Sequence, residues 1–244
     1  MDDSIEKAYF CSRNEFLILL GIVGAGKIYS FELPGRDEVT EEELTLALYQ
    51  LTRKGFLQMK EQLVPEPAIR RILDKICHAR QVLQVIPGRG GAQKICYLSG
   101  EQTAVTELDG ESGELRLCLL AEDQLWQQLT SEDQVGPAFL ETETEGQTLL
   151  RHDEAARKEQ QLLSFGQLPS GRELSMLEPL TAVMEQSGIR GAWERFDLKE
   201  GKVLERFLFL EGRTIPWILI QTWESCTGVP DSLESREKLR RQIL

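Results

Sequence analysis

The chain has 244 residues, 41% hydrophobic and 28% charged, which is enough apolar mass for one large core or two modest ones. A formal net charge of −12 repels nucleic acid at long range, and no apolar stretch approaches the ~20 residues of a membrane span. The acidic start MDDSIEK has none of the regions of a signal peptide, so the expected location is the cytoplasm.

The first predicted element is a short apolar helix over residues 15–23. Ser12 and Glu15 form a capping box before it, and Gly24 sits where a left-handed C-terminal residue belongs. The end of this helix overlaps Gly21 to Lys27, GIVGAGK, which carries the glycines and lysine of a phosphate-binding loop. That loop needs a Ser or Thr hydroxyl next, to hold Mg²⁺, and then a helix of several turns. Ile28 offers no metal ligand, and Pro34 with Gly35 stops the chain after a segment rich in β-formers. Helix capping accounts for the glycines better than nucleotide binding does.

A second helix begins at the Thr40/Glu43 capping box. It carries Leu44, Ala47, Leu48 and Leu51 on one face and closes at Gly55. Pro67 starts a third, with Ala68, Ile69, Ile72, Leu73 and Ile76 along one side. Strands are expected over 94–98, 103–108 and 114–120, separated by Gly-containing turns, and a helix with Trp126 over 122–129. Residues 130–147 hold Gly136-Pro137 and the run ETETE, the composition of a linker. Helices over 153–163 and 173–186 follow, then strands over 192–198, 202–210 and 214–223, and a last helix begun by Asp231, Ser232 and Glu234.

Chemistry-bearing residues are sparse. The five cysteines, Cys11, Cys77, Cys96, Cys118 and Cys226, are odd in number and scattered, with no CxxC pair, and read as buried thiols. His78 follows Cys77 on a helix, where neighbours do not face one another, and His152 lies beside Asp153 in a polar stretch. No catalytic residue, metal site or cofactor is expected. Charge is uneven: residues 1–52 hold 4 basic and 10 acidic side chains, 53–94 hold 9 and 3, and 95–244 hold 15 and 27. The basic band, Arg53, Lys54, Lys60, Arg70, Arg71, Lys75, Arg80, Arg89 and Lys94, is expected to be a solvated face or an internal partner for the surrounding acid.

The fold expected is α+β: two similar halves, each of helices followed by an antiparallel β-meander, forming a central sheet flanked by helices. The halves run 1–130 and 148–244 in one compact domain, with an acidic linker over 131–147. CYLSGEQTAVTEL from Cys96 aligns without a gap with LFLEGRTIPWILI from Leu208, an alignment within reach of chance for any two glycine-turn hairpins.

Four stretches carry a resemblance: Glu15 to Leu20 leading to Leu33-Pro34; Leu44 to Gly55-Phe56-Leu57; Ala68 to Val85 with the meander ending LRLCLLAED; and the strand-turn-strand around Trp217. In element order and apolar pattern the chain resembles the EspG-like chaperones associated with type VII (ESX) secretion. The resemblance implies two quasi-equivalent halves around a central sheet and a non-enzymatic cytoplasmic protein that binds secretion substrates. It carries over no individual binding residue.

The function expected is therefore a non-enzymatic cytoplasmic protein-binding module, a chaperone or adaptor whose client is a secreted helical protein, with no nucleic acid or membrane partner. The alternatives are a winged-helix-like DNA-binding regulator, using residues 40–64 and the helix at Pro67, and a P-loop-related nucleotide enzyme. Trp217 and Trp223 are the candidate protein-binding residues. They are an even number of positions apart, so an uninterrupted strand would put both on one face with Leu219 and Gln221. Core burial is the competing expectation for Trp217, whereas Trp223 at the strand's end suits an interface anchor.

Overall fold

The computed structural model describes residues 7–26, 28–35, 38–87, 91–131, 134–136, 189–211, 216–222 and 226–244. The chain divides into two compact units: Met1–Leu83 with Ala92–Leu125, and Gln84–Gly91 with Trp126–Leu244. The fold class is α+β as expected, with antiparallel strands and flanking helices.

In the first unit, strand β1 (Tyr9–Cys11) leads into α1 (Arg13–Ile22), α2 (Glu41–Arg53), a small hairpin of β2 (Leu57–Met59) and β3 (Leu63–Pro65), and α3 (Pro67–His78). Then come β4 (Gln81–Pro87), within which the two units divide, β5 (Gln93–Leu98), β6 (Gln102–Leu108), β7 (Leu115–Ala121) and the start of α4 (Glu122–Leu129). The sheet order is β1-β7-β6-β5-β4, with β1/β7, β7/β6 and β6/β5 antiparallel. In α3, Ile69, Ile72, Leu73 and Ile76 recur at helical spacing, are all buried, and pack the helix on β6 and β7.

Both early helices end in the same device. In α1 the Ala25 N–H donates to the Leu20 carbonyl at 2.9 Å and the Gly24 N–H to the Gly21 carbonyl at 3.1 Å. In α2 the Phe56 N–H donates to the Leu51 carbonyl at 2.9 Å and the Gly55 N–H to the Thr52 carbonyl at 3.0 Å. These are Schellman closures, and they need the left-handed backbone that Gly24 (φ +69°) and Gly55 (φ +73°) supply. Both predicted capping boxes, Ser12/Glu15 and Thr40/Glu43, are formed.

In the second unit β8 (Ile189–Asp197), β9 (Lys202–Leu210), β10 (Trp217–Gln221) and β11 (Cys226–Pro230) form an antiparallel meander in that order, and α5 (Leu233–Ile243) closes the chain. On one sheet face Trp193 lies opposite Phe207, meets Trp126 edge to face at 5.9 Å and tilts on Phe209 at 4.5 Å. Trp217 lies opposite Leu210 and so belongs to the other face.

Several elements differ from expectation, among them β1 and the β2/β3 hairpin, which the sequence reading does not contain. The predicted strand over 214–223 is cut to Trp217–Gln221, and the chain turns back as β11, a strand the sequence pattern does not reveal because Cys-Thr-Gly-Val-Pro is short and weakly apolar. β4 is also unanticipated, although Val82, Leu83 and Val85 are all buried in it. The aligned hairpins differ in register by two residues. Cys96 pairs with Val105, but Leu208 pairs with Leu219 rather than with Trp217, its counterpart in the alignment. A shift of two keeps every side chain on its face, so the apolar pattern survives while the loop lengthens. The linker beyond 136 and the helices predicted over 153–163 and 173–186 lie outside the described residues.

Candidate functional site: an acid-edged apolar groove

The first unit has a groove of about 480 Å³, floored by α1 and walled by the segment that follows it. After its polar first turn, Arg13-Asn14-Glu15, the sequence of α1 is apolar on every side from Phe16 to Ile22. Phe16, Leu19 and Leu20 are buried beneath it, which leaves Leu17 and Ile18 half-buried along the groove. The facing wall consists of Ala25, Gly26, Ile28, Ser30, Leu33 and Val39, and Leu44 comes from α2.

This wall is fixed to the sheet. Tyr97 on β5 is buried, and its hydroxyl donates to the Tyr29 carbonyl at 2.7 Å. Burial pushes the Tyr97 phenol well above its ordinary value, so the group donates at any working pH. Farther along, the Gly35 N–H donates to the Glu38 carboxylate at 2.7 Å. The N-terminus of α2 follows. Glu43 accepts from the Thr40 backbone N–H at 2.8 Å, and this bond holds its carboxyl below the usual value and keeps it ionised.

The rim is acidic. Glu32, Glu38, Glu41, Glu42 and Glu43 are all exposed beside the lining residues Leu33, Val39 and Leu44, and in sequence residues 27–50 carry six acidic side chains against two basic ones, Lys27 and Arg36. Arg13 is the one cation of α1.

Gly21, Ala25 and Gly26 of the phosphate-loop string line this groove, and the geometry of the string is opposite to that of a phosphate site. Gly21 and Ile22 are the last turn of α1, so the segment lies at a helix C-terminus, where carbonyls and the negative dipole end gather. A phosphate needs a helix N-terminus with free N–H groups, but the N–H groups of Gly24 and Ala25 are spent on the Schellman closure. Residues 28–35 are not helical.

The other sequence candidates are dispersed. Trp217 is 1% exposed and belongs to the core of the second unit; its indole Nε1 has no hydrogen-bond partner among the described residues. Trp223 lies outside the described residues. The uninterrupted strand that was to put the two on one face ends at Gln221. Cys11 and Cys96 are buried, and desolvation pushes each thiol up to about 12, which removes the thiolate that reactivity needs. Among the described residues no group of His, Cys, Asp and Glu is placed to hold a metal.

Part of the basic band is engaged within the fold. Lys54 pairs with the buried Glu15 at 2.8 Å, Arg70 with Asp74 at 2.9 Å and the buried Lys94 with Glu107 at 2.8 Å, while Lys75 donates to the Ser99 carbonyl at 2.5 Å. The band is therefore in part an internal partner for acid and in part a solvated face, with Arg53, Lys60, Arg71 and Arg80 exposed. Composition and spacing did not single out the groove. The available signal was α1's apolar character on all sides, which marks a helix covered on more than one face.

No family model matches the chain, and no curated protein matches its sequence. In three dimensions it is similar to the Mycobacterium tuberculosis type VII secretion system chaperone EspG5, solved in complex with a PE25–PPE41 dimer. The match has a TM-score of 0.59 at 7% identity and covers 97% of this chain and 95% of that one. At such low identity the likeness is one of fold. No described helix is long and apolar enough to cross a membrane.

Proposed function

We propose that this protein is a non-enzymatic adaptor or chaperone that holds a helical client, of the kind a type VII secretion system exports, in the cytoplasm before export. The observation that carries this reading is the end-to-end fold similarity to a chaperone bound to a protein dimer. The apolar groove supports it, because a half-buried apolar trough with few polar groups suits the side chains of another chain better than a polar metabolite.

The test is to incubate the tagged protein with native cytosol and identify what it retains. The expected result is a small helical protein that also stays soluble when co-expressed with this chain. Sequence-selective retention of duplex DNA at physiological salt would favour a regulator instead. We also propose that Trp223 borders the client surface, so that Trp223→Ala weakens client binding by ~1–3 kcal/mol in a protein that remains folded. Trp217 cannot report on binding in the same way, because truncating a buried tryptophan costs ~3–5 kcal/mol of stability by itself.

A further inference from the structure

We infer that the groove of the first unit receives an amphipathic segment of a partner protein with an apolar stripe and basic flanks. The inference rests on the protein-binding reading above and adds the site and the chemistry of the partner.

The apolar half follows from α1. A helix apolar on every side is stable in water only when both sides are covered. The core covers Phe16, Leu19 and Leu20, while Leu17 and Ile18 stay half-buried in an open trough. Among the lining side chains the only polar group is the Ser30 hydroxyl, which donates to the Phe31 carbonyl at 2.8 Å. A small polar ligand would find no convergent donors and acceptors to orient it. A row of aliphatic side chains needs none.

The basic half follows from the rim. The five exposed carboxylates flank the lining residues in sequence, and Thr40 keeps Glu43 ionised. A partner segment with acidic flanks would meet like charge, whereas Lys or Arg beside its apolar stripe would meet opposite charge across a short, partly dry gap. Discrimination is then electrostatic and weakens with added salt.

The test uses the full chain and two synthetic peptides of ~18 residues with leucine at helical i, i+3, i+4, i+7 spacing, one with lysine and one with glutamate at the polar positions. In calorimetric titration at ~150 mM salt the lysine peptide should bind and the glutamate peptide should not. The exposed pair Glu41→Lys with Glu42→Lys should weaken the lysine peptide by about tenfold. An equal reversal away from the groove, Glu101→Lys with Glu111→Lys, should leave it unchanged. Leu17→Asp should also abolish binding. Should that variant fail to fold, the exposed rim pair still decides the question.

Equal loss from both reversals, or equal binding of both peptides, would mean that net charge alone attracts the probe and would overturn the inference. The same variants are then titrated with the client captured from cytosol. If the lysine peptide depends on the rim but the client does not, the groove inference stands and the client surface lies elsewhere. If the client binds and neither peptide does, the adaptor reading stands and the inferred chemistry is wrong.

Discussion

The Tyr97 hydroxyl donates at 2.7 Å to the carbonyl of Tyr29, 68 positions away in sequence, and ties the wall of the apolar groove to the central strands of the first unit. Removing it takes one hydrogen bond from that carbonyl without greatly disturbing the packing of the ring. Tyr97→Phe should cost ~1 kcal/mol in denaturant unfolding and raise amide exchange across residues 28–33. Unchanged exchange in that segment would mean the wall is held by other contacts.

Gly191 is required by proximity rather than by backbone angle. A Cβ there would lie 2.9 Å from Val135 Cγ1 and 3.4 Å from the carbonyls of Gln134 and Ile86, at a bulge in β8. Gly191→Ala should destabilise the protein by ~1–3 kcal/mol. Combined with Val135→Ala, it should cost less than the sum of the two single changes, measured by urea unfolding in a double-mutant cycle.

Asp231 is buried and accepts from Arg236 Nε at 2.6 Å and from another Arg236 nitrogen at 2.8 Å, while also pairing with Arg190. The two arginines in turn donate to the carbonyls of Gly136 and Val135. Asp231→Asn leaves two desolvated cations without their counter-charge, and a loss of ~3–5 kcal/mol in thermal or chemical unfolding is expected.

The cap of α2 has a pH signature. The backbone and side-chain bonds from Thr40 hold the folded-state pKa of Glu43 below its unfolded value. Its contribution is therefore fully present above the ordinary glutamate value of ~4.3 and fades as pH falls through the lowered folded value. Glu43→Ala should lower the melting temperature at neutral pH and flatten this acid limb relative to the parent protein, because it removes the acceptor of the Thr40 backbone N–H. Parallel melting curves down to pH 3 would show that the cap is not the group titrating.

Nucleotide should not bind. Because GIVGAGK closes a helix C-terminus and Ile28 carries no hydroxyl, titration with ATP or GTP and Mg²⁺ should give no heat, and Lys27→Ala should change nothing. Micromolar binding that Lys27→Ala removes would overturn the capping explanation.

Where a local rule decides an outcome, the sequence was legible. Ser12 with Glu15, Thr40 with Glu43, Pro67, and the glycines at 24 and 55 each act within one turn of the chain, and the helices start and stop where these residues require. The meander of β5, β6 and β7 was legible for the same reason, since alternation and glycine turns are read over a few residues. β11 and the end of β10 were not. Whether Trp217 begins a five-residue strand or belongs to a ten-residue one depends on what lies opposite it, and its partners are Leu210 and Pro230.

The sequence by itself determined the class of the fold and the caps of α1 and α2, because those follow from capping and periodicity. Only the tertiary structure decided which apolar residues remain for a partner. Leu17, Ile18, Leu33 and Leu44 are as apolar in the sequence as Phe16, Leu19 and Leu51, and nothing local separates the two sets. They divide only when α1 lies down with one side on the core and Tyr97 holds the residue 28–33 segment beside the other. Exposure belongs to the packed surface, set by contacts between residues far apart in the chain.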